Sequence, residues 1–147
     1  MIKKIIIFFF ILIPLNAFAL IEVDITRGNL NPLPLAVSPL SIDEVSRESF
    51  EKILKKKNIG SEISNIVENN LRTSGLFNPL DKNAFLQAPD IANLKPRFED
   101  WNLIKAQALI TGKVNFIDDK LRVEFRLWDV LAAKEMMALA FTTVPNN

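Results

Sequence analysis

The amino-acid sequence predicts an α+β domain: a mixed sheet with a C-terminal antiparallel meander and helices packed on one face. Three observations carry this. Apolar residues in the middle of the chain recur at helical spacing, those of the last third alternate at strand spacing, and a proline-flanked apolar segment precedes both. Strands, then helices, then a meander is the element order of a layered α+β fold.

The chain opens with Lys3-Lys4, the apolar run Ile5 to Leu15 and Ala17-Phe18-Ala19. A basic start, an apolar centre and an A-x-A ending are the parts of a secretory signal peptide, here residues 1–19. The run is shorter than the roughly 20 apolar residues of a membrane span, and Pro14 interrupts it. Export without membrane insertion is therefore expected. Cleavage after Ala19 would leave residues 20–147, enough for one domain with a core of its own. The new N-terminus would be strand-like, because Ile21, Val23 and Ile25 alternate with Glu22, Asp24 and Thr26.

A second strand is expected at Leu35 to Val37, after Pro32 and Pro34, since proline is tolerated where a strand begins. Asp43 to Lys57 reads as a helix with Val45, Phe50, Ile53 and Leu54 on one side. The next helix has a clearer stripe, Ile63, Ile66, Val67 and Leu71, with Ser61 as candidate cap and Gly75 where a glycine ends a helix. Residues Asp81 to Arg97 hold Pro89 and Pro96 and little periodicity, so a loop with one helical turn is expected. A short helix follows from Phe98 to Ala106. Ala108 to Phe116 then reads as a strand, Asp118-Asp119 as a turn, Leu121 to Val130 as the clearest strand of all, and Met136 to Val144 as a third.

Composition excludes several kinds of chemistry. The chain has no cysteine, histidine or tyrosine. That removes thiol nucleophiles, thiolate metal sites, the commonest general base and the phenolic acid. Without cysteine a lipid anchor on an N-terminal cysteine is also excluded, so a soluble exported product is expected. With Lys3 and Lys4 removed, 16 basic residues face 17 acidic ones. A near-neutral chain offers no electrostatic footprint for nucleic acid. The Lys55-Lys56-Lys57 cluster reads as the solvated end of a helix.

The carboxylates are the remaining candidate catalysts. Glu22 and Asp24 share a strand face, but at a chain end this is a solvated face rather than an acid–base pair. Glu99-Asp100 precedes Trp101 at a helix start, where acidic residues favour the macrodipole. Asp118-Asp119 lacks the further positions of a calcium loop. Arg122, Glu124 and Arg126 form a charged ladder along one strand face, and Trp128 on that face implies a helix packed over its end. Neither a catalytic group nor a metal or cofactor site is expected.

At this point particular stretches resemble a known family. They are Ile21 to Asn29, Pro32 to Val37, Val67 to Asp81 (VENNLRTSGLFNPLD), Arg97 to Trp101, Ala108 to Val114 and Leu121 to Val130 (LRVEFRLWDV). In this order behind a signal peptide they resemble the N-terminal domain of the TolB family, the periplasmic component of the Tol–Pal system, in its α-proteobacterial form. The resemblance implies an α/β domain followed by a β-propeller that docks the lipoprotein Pal. It further implies a mature N-terminal segment that alternates between packing on the body and binding TolA. Residue by residue that segment is Ile21, Glu22, Val23, Asp24, Ile25 and Thr26.

The sequence ends at Asn147, where the family continues with a helix and the propeller, so both are expected to be missing and Pal binding to need a propeller supplied. The function expected is that of a periplasmic, non-enzymatic protein-binding module serving envelope integrity and cell division, with TolA as partner. Two alternatives stand beside it: a non-functional truncated or split-gene fragment, and a small exported hydrolase working through carboxylates.

Overall fold

The computed structural model describes residues 31–55 and 57–144. The signal peptide and the strand expected at Ile21 to Thr26 lie outside them. Five strands form one sheet in the order β2-β1-β3-β4-β5. They are β1 (Leu33–Val37), β2 (Phe77–Pro79), β3 (Ala108–Ile117), β4 (Lys120–Asp129) and β5 (Lys134–Thr143). β1 runs parallel to both its neighbours, with Leu33 opposite Phe77 and Leu35 opposite Ala108. β3, β4 and β5 are antiparallel, the meander that the alternating residues predict. Four helices are described: α1 (Glu44–Ser49), α2 (Ile59–Thr73), α3 (Pro89–Leu94) and α4 (Phe98–Leu103).

Parallel neighbours need crossover connections. The chain between β1 and β2 supplies α1 and α2, and the chain between β2 and β3 supplies α3 and α4. Pro34 is tolerated inside β1 because the ladder to β3 begins one residue later, so no strand partner asks for its missing N–H. Its carbonyl still accepts from the Gln107 backbone at 3.0 Å.

Alternation on β1 sets where each helix goes. Leu35 and Val37 point to one face, where Val67 and Leu71 of α2 meet them with Ile110 and Leu127. Ala36 points to the other, where Ala92 of α3 and Trp101 of α4 close over Leu109 and Val130. The long helix thus takes one face and the two short helices the opposite one, so the mixed α+β sheet is as expected but its helices divide between two faces instead of packing on one. A central parallel pair needs this cover, because its residues are apolar on both sides.

Several local expectations change. Asn58, not Ser61, precedes α2, and the helix starts at Ile59. Gly75 follows it with φ of 73°, in the left-handed region a closing glycine occupies. Ile66 faces solvent, while Ile63, Val67 and Leu71 pack inward. The helix expected from Asp43 to Lys57 is α1 followed by a π-helical turn, Phe50–Leu54, closed by Lys55 at φ of 51°. Val45 and Ile53 are exposed and Phe50 is buried.

Ser46 explains the rotation of α1. The backbone N–H and hydroxyl of Ser46 both donate to the Asp43 carboxylate, at 2.8 and 2.9 Å. The Ser46 hydroxyl also accepts from the Phe116 backbone N–H at 2.9 Å. A polar residue is therefore held inward to satisfy a strand, which turns Val45 out. The wider π turn then points Phe50 inward, its ring 5.9 Å from that of Phe116 in an edge-on contact. β2 is not expected from the sequence, whereas α3 is the one helical turn expected within Asp81 to Arg97. Three residues with a proline show no alternation, and the helical period of α3 is only six residues long.

At Gly112 of β3 an added Cβ would lie 2.2 Å from the Glu124 carbonyl oxygen of β4 and 3.4 Å from the Leu40 side chain. Backbone on one side and core on the other leave no room. Gly112→Ala should therefore destabilise the fold by about 1–3 kcal/mol, the cost of overpacking. A urea midpoint equal to that of the unaltered protein would contradict this.

Candidate protein-interaction surface

The partner-binding residues expected from the sequence, Ile21, Glu22, Val23, Asp24, Ile25 and Thr26, lie outside the described residues. The other candidates can be placed. Asp100, in the first turn of α4, accepts from Arg97 Nε at 2.8 Å and sits 2.7 Å from its second guanidinium nitrogen. It is held as half of an ion pair at a helix start. Asp118 and Asp119 have φ of 49° and 57° and form the tight turn between β3 and β4. Two successive left-handed residues match the strand twist in a two-residue hairpin. Among the described residues, no three of the metal-ligating types gather at one point.

The charged ladder is present on the face that carries α3 and α4. Glu124 accepts from Arg122 at 2.9 Å and lies 3.5 Å from Lys113 of β3. Arg126 lies 3.9 Å from Glu135 of β5. The hydrogen bond from Arg122 holds the Glu124 carboxyl below its usual range against partial burial, with the Lys113 charge adding to it. Trp128 ends the ladder. Its indole N–H donates to Thr111 Oγ1 at 2.9 Å, and the Phe98 ring of α4 packs edge-on at 5.8 Å. The tryptophan among charges is covered by a helix, as expected.

The opposite face differs. α2 covers β1 and the near side of β3, Leu40, Phe50 and Ile59 pack against Val114, Val123 and Phe125, and among the described residues the rest of this face is open. Phe125 and Leu127 of β4, Met137 and Leu139 of β5, Ile110 and Val67 line a cavity of about 230 Å³ with almost no polar surface. Register explains the content. Val123, Phe125 and Leu127 stand opposite Phe141, Leu139 and Met137, so the apolar rows of two strands lie side by side. Phe125 and Phe141 meet edge-on at 6.5 Å. Met137, Leu139 and Phe141 are about half exposed. Contiguous apolar surface of this kind marks interaction sites. A hint is legible in the sequence, since Met136 to Phe141 is apolar at every position rather than at alternate ones.

A buried polar centre was not foreseen. The Gln87 side-chain oxygen accepts from the Trp101 indole N–H at 2.9 Å and from the Arg97 backbone at 3.1 Å. It ties the irregular segment 81–97 to α4. Glu68 of α2 does similar work outside. Arg72 and Lys82 both reach its carboxylate, the latter at 3.1 Å. Burial alone would raise the Glu68 carboxyl. Hydrogen bonds from Arg72 and Lys82, with their charges, outweigh it and hold the group below the usual 4.5.

Comparison with known proteins places this architecture. The family described as the TolB amino-terminal domain matches residues 21–136. The "Tol-Pal system protein TolB" of Pelagibacter ubique (strain HTCC1062) is 83% identical over 138 residues, which are 94% of this chain and 31% of that protein. The chain thus spans about a third of the length of this relative. Among solved structures, TolB from Acinetobacter baumannii superposes with a TM-score of 0.53 at 21% identity, over 78% of this chain and 23% of that one. The LpoB C-terminal domain from Escherichia coli gives 0.54 at 11% identity, over 81% and 87%. At these identities the two structures share the fold alone.

Lowering the pH tests the Glu68 ion pairs. A carboxylate with a depressed folded pKa contributes stability that is present above its unfolded value and lost as pH falls through the folded one. Glu68→Gln removes that contribution, so it should cost roughly 0.5–1 kcal/mol near neutral pH. The gap between the two proteins should close as pH drops well below 4.5. Urea unfolding at several pH values measures this, and a gap independent of pH would refute the assignment.

Proposed function

The chain belongs to the family of TolB amino-terminal domains, and we propose that it is a periplasmic protein-binding module of the Tol–Pal cell-envelope system. The observation that carries this is the 83% identity to a Tol–Pal system TolB across 94% of the chain.

The domain is residues 20–147, exported by the segment before it. Its working element is the mature N-terminal strand, Ile21 to Thr26, engaging TolA. Alternation of Ile21, Val23 and Ile25 with Glu22, Asp24 and Thr26 supports this role, because an extended terminus can add to the sheet edge of another protein. Backbone hydrogen bonds supply affinity in that mode, and the alternate side chains supply selectivity. A terminus that also packs on its own body needs the two states to differ by only a few kcal/mol for a partner to choose between them. Contact with Pal is left to a propeller supplied in addition to these residues.

The chemistry of the described residues agrees with binding rather than catalysis. The three carboxylates with depressed pKa, Asp43, Glu68 and Glu124, are each held ionised by hydrogen bonds within the fold. Asp43 caps α1 through the Ser46 backbone, Glu68 joins α2 to Lys82, and Glu124 joins two strands. Groups fixed this way serve structure.

Deleting Leu20 to Thr26 should abolish binding to purified TolA in calorimetry while leaving the circular dichroism of the domain unchanged. Undiminished binding by the shortened protein would sink the proposal for this segment.

A further inference from the structure

We draw no further inference here: the strongest candidate, the apolar face of the meander where Phe125, Leu127, Met137 and Leu139 line a cavity, is an unpartnered sheet face in a chain that spans 31% of its TolB relative, and nothing among the described residues shows what covers it.

Discussion

Everything in this fold is arranged around a parallel pair of strands that is shut off from water on both sides. Leu35, Ala36 and Val37 of β1 and Leu109 of β3 are at most 1% exposed, and Ala108 is 7% exposed. A backbone so enclosed has to find its hydrogen bonds inside the protein, and the ladder with β3 supplies them. The side chains need apolar cover on two faces, which one helix cannot give. α2 covers Leu35 and Val37, while α3 and α4 cover Ala36. The connections are extended by the same constraint, since parallel neighbours cannot be joined by a tight turn.

The meander does not share that constraint. β4 and β5 reach beyond the helices, so their two faces are free to differ. One carries Arg122, Glu124 and Arg126 in mutual ion pairs and is content in water. The other carries the apolar rows of both strands, of which α2 reaches Leu127 while Met137, Leu139 and Phe141 stay about half exposed. Among the described residues the centre of the sheet is closed on both faces, and the meander is open on one.

The sequence was informative where periodicity was long and uninterrupted. Strand spacing over Leu121 to Leu127 and the Asp118-Asp119 turn placed the meander within two residues. The Ile63, Val67 and Leu71 stripe and Gly75 placed the long helix. Misreadings fell where a distant polar partner decided orientation. Val45 and Ile53 looked like core, yet Ser46 is drawn inward by the Phe116 N–H and turns them out. β2 escaped notice because three residues hold no period, and only the neighbouring β1 makes them a strand. Gln87 lies in an irregular segment, and its role rests on Trp101, fourteen residues on, whose indole N–H it accepts.

By itself, then, the chain determined what is local: element types, the turn that joins β3 to β4, the absence of thiol and imidazole chemistry, and the family written in its LRTSGLFNPLD and LRVEFRLWDV stretches. Those follow from short-range periodicity, steric preference and residue inventory. Tertiary structure alone decided which side of each helix faces inward, that the helices divide between two faces, and which apolar rows remain open. Those depend on pairing between residues far apart in sequence, where register decides which side chains share a face and which are left to meet water.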